Sequence, residues 1–234
     1  MSRDLYTSLS GAAAAWREIE SISTNLANAS TQGFKAERHR FTLVGDSSEP
    51  LGASYVQFER ADFDFSDGVL QRDDVDTHFA LQGRGFMLAE DANGAEILVR
   101  GGAFELDSDR FLVTPQGDRL LGLGGAIEIP PETSIDVTPD GVIKTDDGTE
   151  IAQLRLVNAE EIEPLGGTRW AALSPVEDTD QVIVHQGALE TSNVNPLASM
   201  TDLVTASRLF EAYQKAMQAS DEMDARIYKS GGNK

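Results

Sequence analysis

Apolar side chains recur every three or four residues at both ends of the chain. Near the N-terminus this spacing relates Leu5, Leu9, Ala12, Trp16, Ile19, Ser23 and Leu26. The pattern predicts an amphipathic helix that ends near Asn28, before the turn residues Ser30-Thr-Gln-Gly33.

The same spacing returns towards the C-terminus. Steps of three and four relate Leu203, Ala206, Phe210, Tyr213, Met217, Ser220, Asp224 and Ile227. Asn195 is a candidate cap and Pro196 suits the first helical position, so a helix over residues 196–229 is predicted. At 1.5 Å per residue this helix would be roughly 50 Å long.

The N-terminal segment has few charges beside its apolar stripe. No charged residue occurs between Leu5 and Trp16, or between Ser21 and Ser30. Because a helix in water normally carries charges at these flanking positions, we expect the two terminal helices to pair as in a coiled coil and to be enclosed by further helices. An ordinary amphipathic helix lying on its own domain explains the stripes alone equally well.

The centre of the chain has a different pattern. Short runs rich in Val, Ile, Leu and Phe are separated by turn signals such as Asp91-Ala-Asn-Gly94, Pro139-Asp-Gly141 and Asp146-Asp-Gly148. These runs predict an all-β module of hairpins. The predicted fold is therefore mainly β with α-helical termini. It comprises an N-terminal helix and motif (1–34), an extended connector (35–77), a central β domain (78–187) and a C-terminal helix (188–234).

Charge separates the centre of the chain from its ends. The 234 residues have a net charge of −20, of which residues 35–195 hold −19. This charge disfavours nucleic acid and anionic membranes as partners. The chain has no cysteine, which excludes disulfides and thiolate metal sites. Neither a membrane-spanning stretch nor a Sec signal peptide is indicated, so an exported protein of this kind would use a route without leader cleavage.

Candidate catalytic residues are sparse. His39, His78 and His185 are far apart and lack metal-ligand spacing, and neither 73–76 nor 146–148 matches a calcium loop. No nucleophile elbow or dinucleotide fingerprint is present. We therefore predict no metal, no cofactor and no enzymatic activity. A carboxylate-based hydrolase is the alternative that spacing leaves open.

Four ordered motifs, spread over nearly the whole chain, resemble the flagellar rod, hook and hook-associated axial proteins. The N-terminal motif is Asn25-Leu-Ala-Asn28-Ala-Ser-Thr-Gln-Gly33-Phe34-Lys35. The two central motifs lie in 82–104 and 112–141, and the C-terminal motif is Gln186-Gly-Ala-Leu189-Glu190-Thr-Ser192-Asn193-Val-Asn195-Pro196, followed by 208–215. The chain departs from the family's pattern at two places: Leu98-Val99 replaces Tyr-Thr, and Met87 replaces an aromatic residue. Both changes affect strand faces.

The resemblance implies a structural subunit of the bacterial flagellar basal-body rod, the drive shaft of the motor. Such a subunit is exported by the flagellar type III apparatus without cleavage. It polymerises in the periplasm with itself and other rod proteins, and its β domain lies outside a tube of terminal helices. Residues 121–130 and 192–196 look most like the proximal-rod type. The alternatives are a distal-rod or hook-type protein and a secreted binding module.

The residues expected to carry assembly belong to the terminal stripes and the two terminal motifs. They are Leu5, Leu9, Ala12, Trp16, Ile19, Asn25, Leu26, Asn28, Gly33, Phe34, Leu189, Glu190, Ser192, Asn193, Asn195, Pro196, Leu203, Phe210, Tyr213, Met217 and Ile227.

Overall fold

The computed structural model describes residues 3–45 and 54–231, with all side chains in these ranges except those of residues 3, 4, 54, 224 and 227–231. Helix α1 (Arg3–Ala27) and helix α2 (Pro196–Gly231) lie near the two ends, and strands occupy the sequence between them. The prediction of a mainly β chain with helical termini is confirmed at this level.

The strands in the described residues are numbered in chain order. They are β1 (Glu37–Gly45), β2 (Ser54–Phe63), β3 (Leu70–Arg72), β4 (His78–Gly83), β5 (Phe86–Glu90), β6 (Glu96–Val99), β7 (Gly101–Ala103), β8 (Glu105–Leu106), β9 (Leu112–Val113), β10 (Arg119–Gly122), β11 (Gly125–Ala126), β12 (Ile135–Val137), β13 (Val142–Thr145), β14 (Glu150–Gln153), β15 (Leu156–Asn158), β16 (Ile162–Gly166), β17 (Arg169–Ala172), β18 (Glu177–Asp178), β19 (Val182–Gln186) and β20 (Ala188–Glu190).

Contacts divide the chain into two compact units. The helical unit comprises residues 1–29, 36–64 and 194–234, so far as they are described, and the β unit comprises residues 30–35 and 65–193. This grouping joins the two ends of the chain with the segment around β1 and β2. The boundaries predicted from sequence, at 34, 77 and 187, stay predictions.

Helices α1 and α2 of the helical unit pack against each other and run antiparallel. Gly11 lies against the Tyr213 ring, while Trp16, further along α1, contacts Phe210 from an earlier turn of α2, with ring centroids 5.6 Å apart. A Cβ atom at Gly11 would lie 2.5 Å from the Tyr213 ring. Glycine at this position therefore allows the close approach of the two helices.

Local hydrogen bonds explain where the helices begin and end. The Asn195 side-chain oxygen accepts hydrogen bonds from the backbone N–H groups of Leu197 and Ala198, at 3.1 and 3.2 Å, and so caps α2. The Asn28 side chain donates to the Thr24 carbonyl at 2.9 Å, where α1 has just ended. Asparagine thus marks one boundary of each helix.

The segment predicted to be an extended connector contains an antiparallel hairpin. Strands β1 and β2 pair in register from Glu37 opposite Phe63 to Gly45 opposite Ser54, with a bulge after Arg40. Residues 46–53, between the two strands, lie outside the described residues. The hairpin lies on α1, because Ser21 and Asn25 both donate hydrogen bonds to the Glu37 carbonyl, at 3.1 and 2.7 Å.

The β unit contains a branched ten-stranded sheet and smaller sheets around one apolar core. The predicted turn signals lie between paired strands: 91–94 joins β5 to β6, 139–141 joins β12 to β13, and 146–148 joins β13 to β14. Large side chains from several strands are completely buried, and they include Phe79, Leu81, Met87, Leu112 and Leu120. Full burial of each such side chain stabilises the fold by about 1.5–3 kcal/mol.

Candidate assembly site

The residues predicted to carry assembly fall into two groups in the structure. One group lies on the helices of the helical unit, and the other lies in the β unit, where the two terminal motifs meet. On α2, Leu203, Phe210, Tyr213 and Met217 are half-buried on one face, while the intervening Ala206 and Ser220 are buried. This face contacts α1 through Phe210 and Tyr213. The side chain of Ile227 lies outside the described residues.

On α1 the most buried residues do not coincide with the predicted stripe. Of that stripe, Ala12 is buried and Leu5, Ile19 and Leu26 are half-buried, but Leu9 and Trp16 are 53% and 50% exposed. The helix instead buries the small or polar residues Gly11, Ala15, Ser21 and Asn25, together with Ile22.

Packing on two sides explains why the buried face of α1 differs from the predicted stripe. Gly11 meets α2, and Ser21 and Asn25 hydrogen-bond to the hairpin, so small and polar residues occupy the most enclosed positions. The three- and four-residue spacing of apolar side chains does not reveal positions where small or polar residues are buried. As a consequence, large apolar side chains of α1 are left facing solvent.

Each helix therefore has an exposed stripe, which we call the outer stripe. On α1 it contains Tyr6, Leu9, Ala13 and Trp16, and on α2 it contains Leu209, Ala212, Ala216, Ala219 and Met223. On α2 this stripe lies about 110° around the helix from the face that contacts α1, at 100° per residue. The α2 outer stripe was not predicted from the sequence, because alanine is compatible with both buried and exposed helix positions.

The two terminal motifs meet in the β unit. The Gly33 N–H donates to the Glu190 carbonyl at 2.7 Å, and the Asn193 N–H donates to the Phe34 carbonyl at 3.4 Å. Gly33 has a φ of +69°, which favours glycine at this turn. The motifs that carry the sequence resemblance are thus in direct contact, although about 155 residues separate them.

Residues 66–69 form the third segment of this junction. The Asn193 side chain donates to the Ser66 carbonyl at 3.2 Å, and the Thr191 N–H donates to the Val69 carbonyl at 2.9 Å. A Cβ atom at Gly68 would lie 2.0 Å from the Thr191 carbonyl oxygen, so only glycine fits there. Leu189 is buried and Ser192 is half-buried beside these contacts.

Buried charges hold the junction together. The Lys35 ammonium donates to Glu190 Oε1 at 2.6 Å and to the Ser66 carbonyl at 2.9 Å. Burial lowers the pKa of the Lys35 ammonium below its ordinary value, and the hydrogen-bonded Glu190 carboxylate opposes this shift. The repulsive Arg100 charge nearby acts in the same direction as burial.

Arg100 and Asp67 complete this cluster and were missed as site residues. Arg100 is fully buried and donates to the Gly85 carbonyl at 2.7 Å and to Asp67 Oδ1 at 3.0 Å. The sequence signal was an arginine that directly follows the apolar run of β6. Such an arginine is buried only when nearby anions compensate its charge.

No arrangement in the described residues suggests chemistry. The three histidines are separate: His39 lies beside Glu37, His78 beside Asp73 and His185 beside Gln82. No group of three or more His, Cys, Asp or Glu side chains within the described ranges is placed to hold a metal ion. Neither described helix has the length and hydropathy that crossing a bilayer requires.

Three family models match successive parts of the chain. The "Flagella basal body rod protein" model matches residues 5–35. The "Flagellar hook protein FlgE/F/G D1 domain" model matches residues 80–145, and the "Flagellar basal body rod FlgEFG protein C-terminal" model matches residues 185–229. Both segments that meet at the junction, 33–35 and 189–193, fall within matched regions.

Curated relatives match the chain over almost its full length. The flagellar basal-body rod protein FlgF of Rhizobium meliloti is 32% identical and covers 100% of both chains. FlgF of Caulobacter vibrioides is 29% identical over 95% of both chains. The rod protein FlgG of Borreliella burgdorferi is 28% identical, over 95% of this chain and 96% of its own. The chain belongs to the family of flagellar basal-body rod proteins.

Proposed function

We propose that this chain is a structural, non-enzymatic subunit of the flagellar basal-body rod, of the FlgF or proximal type. The observation that carries the proposal is the end-to-end likeness to FlgF proteins, at 32% identity over the full length of both chains for the Rhizobium meliloti relative. The exposed apolar side chains on the two terminal helices support it, because a polymer subunit must keep apolar surface available for its neighbours.

The outer stripes are the proposed contact surfaces between subunits. Tyr6, Leu9 and Trp16 are each about half exposed. Burying the remaining surface of one such side chain would stabilise the assembly by roughly 1 kcal/mol, about half the value for full burial. Such contacts would add up when each subunit of a polymer meets more than one neighbour.

The α2 outer stripe suits close packing against a helix of a neighbouring subunit. Leu209 and Met223 bracket three exposed alanines, with steps of three and four along the helix. Small side chains let helix backbones approach closely, and this spacing is that of a coiled-coil seam. The coiled-coil-like pairing expected from the sequence is therefore proposed for contacts between subunits, alongside the α1 and α2 contact within one chain.

Export and location belong to the same proposal. The subunit leaves the cytoplasm through the flagellar type III apparatus and assembles in the periplasm with other rod proteins. Residues 35–195 have a net charge of −19, most of which lies in the β unit. This charge keeps the β units of different subunits from associating non-specifically and disfavours nucleic acid. Association then depends on the nearly neutral terminal segments.

A pair of single-charge substitutions on α2 tests whether its outer stripe is an assembly surface. Ala216→Glu places a carboxylate in the outer stripe, and Gln218→Glu adds the same charge to an exposed position on another face. Each variant is expressed in a strain that lacks the native gene, and its incorporation into purified basal bodies and its swimming are measured. We expect Ala216→Glu to abolish incorporation and Gln218→Glu to preserve it.

Circular dichroism of the purified variants provides the folding control, because both positions are exposed in the single chain. Normal rods built from the Ala216→Glu variant would refute the outer stripe as an assembly surface. Loss of incorporation in both variants would show that added charge anywhere on α2 is harmful, and would equally refute the specific role of the stripe.

A distal-rod role is the second candidate, because FlgG proteins match almost as well as FlgF proteins, at 28–30% identity. Complementation separates the two. A proximal-rod subunit restores motility to a strain lacking FlgF and leaves a strain lacking FlgG non-motile, whereas the reverse result would assign the distal rod.

A further inference from the structure

A buried cluster of charged side chains lies where the chain enters and leaves the β unit. The chain passes between its two units after residues 29, 35, 64 and 193. Lys35, Asp67 and Glu190 each lie within three residues of one of these crossings, and Arg100 comes from the interior of the unit. One cluster thus joins the three segments that connect the β unit to the rest of the chain.

The cluster is electrically balanced and almost completely enclosed. The side chains of Lys35 and Arg100 are 0% exposed and that of Glu190 is 2% exposed. Glu190 lies between the two cations: its Oε1 accepts from Lys35 and from the Gly68 N–H at 2.7 Å, and its Oε2 lies 3.6 Å from Arg100 Nε. Asp67 pairs with Arg100 at the more exposed side of the cluster.

This arrangement tolerates the loss of any member poorly. Among the described residues, Glu190 Oε2 and Arg100 Nε have no hydrogen bond, so charge alone compensates for their burial. Removing one partner from a buried ion pair leaves an uncompensated charge in a region of low dielectric constant, which is strongly unfavourable. If residues 30–35 were undocked, Glu190 would lose its closest cation.

We propose that this cluster makes the docking of residues 30–35 and residues 189–193 onto the β unit a single concerted step. The N-terminal segment supplies Lys35 and the C-terminal segment supplies Glu190, and each loses its hydrogen-bonded ion-pair partner when the other is absent. The β unit therefore has both of these segments docked or neither of them. This coupling is a property of the β unit and does not depend on the proposed role in the rod.

Amide hydrogen exchange of the full chain tests the coupling. Reporters are the Gly33 N–H, which donates to Glu190, and the Thr191 N–H, which donates to Val69. In the Lys35→Met variant we expect both amides to exchange on the order of 100-fold faster or more, by the usual effect of breaking a buried ion pair. Amides of β5 and β6 should keep their protection.

Two further variants complete the experiment. Glu190→Gln, which keeps the side-chain volume, should accelerate the same two amides, and the effects of Lys35→Met and Glu190→Gln should be far from additive in the double variant. Arg155→Met is the matched control, because it removes a partly exposed pair with Asp178 in the same unit. It should leave Gly33 and Thr191 unchanged.

Three outcomes would overturn the proposal. In the first, Lys35→Met accelerates exchange only at Gly33 and leaves Thr191 protected, which would mean that the two segments dock independently. In the second, the effects of Lys35→Met and Glu190→Gln are additive. In the third, protection in β5 and β6 is also lost in both single variants, so that the cluster holds the β unit itself together.

Discussion

The two units of the molecule bury very different side chains. In the β unit the buried apolar residues include large ones such as Phe79, Met87 and Trp170. In the described part of the helical unit they are Ala12, Ala15, Ile22, Val194 and Ala206. Large apolar side chains of that unit, among them Tyr6, Leu9, Trp16 and Leu209, are instead exposed.

This difference separates a region that completes its own core from one that does not. A large side chain contributes to folding stability only when it is removed from water, and in the helical unit much of that contribution is still available. The β unit is therefore expected to fold by itself, while the helical unit gains most of its stability from neighbouring subunits.

Removal of a core aromatic ring should show the difference in stability between the two units most clearly. Phe79 is fully buried against Phe104, with ring centroids 5.5 Å apart. Phe79→Ala should lower the free energy of unfolding of the β unit by about 3–5 kcal/mol. Leu9→Ala, at an exposed site, should change it by less than about 0.5 kcal/mol. Urea unfolding followed through the buried Trp170 measures both changes in free energy. Equal losses of stability in the two variants would contradict the difference between the units.

Substitution at Gly68 should open the junction of the terminal motifs. The new Cβ in Gly68→Ala would overlap the Thr191 carbonyl, so we expect a loss of about 1–3 kcal/mol from overpacking. Gly124→Ala is the control, since no atom lies within 4 Å of its added Cβ. Thermal unfolding of both variants provides the measurement, and an unchanged midpoint for Gly68→Ala would contradict the described junction.

Loss of the α2 cap should have a smaller effect that is confined to the helical unit. Asn195→Ala removes the acceptor for Leu197 and Ala198 and should destabilise the start of α2 by about 1 kcal/mol. Asn195→Asp keeps an acceptor and should behave almost as the native chain. Exchange rates of the amides in the first turn of α2 measure the effect. A similar loss of protection in β5 would contradict the independence of the units.

The smallest effect concerns a turn of the β unit and its pH dependence. Hydrogen bonds from the Ala95 and Asn93 backbone N–H groups hold the pKa of Asp91 below its ordinary value. The folded state therefore binds this proton less readily than the unfolded state. The associated stability is present above the ordinary carboxyl pKa and is lost as the pH falls through the lowered one. Asp91→Asn should weaken the acid dependence of the urea midpoint slightly, and a steeper dependence would contradict the assignment.

Local patterns predicted much of the fold. The turn signals around Gly94, Gly141 and Gly148 predicted hairpins because they need only a few adjacent residues, and Asn195 with Pro196 predicted the start of α2 in the same way. The face of α1 was harder to predict, because Gly11 packs against Tyr213 far away in sequence and Asn25 bonds to a hairpin that the sequence did not predict. The charged cluster was harder still, since its four members come from four distant segments and nothing near Arg100 indicates Asp67.

Hydrogen exchange of the unassembled full chain distinguishes a β unit that is stable alone from a helical unit that needs neighbouring subunits. It compares amides in the middle of α1 and α2 with amides of β4 to β6. If the β unit completes its own core and the helical unit relies on neighbours, the helix amides should exchange at least about 100-fold faster, as expected for regions of low local stability. Equal protection of helices and strands in the unassembled chain would contradict this account, because the terminal helices would then be stable without partners.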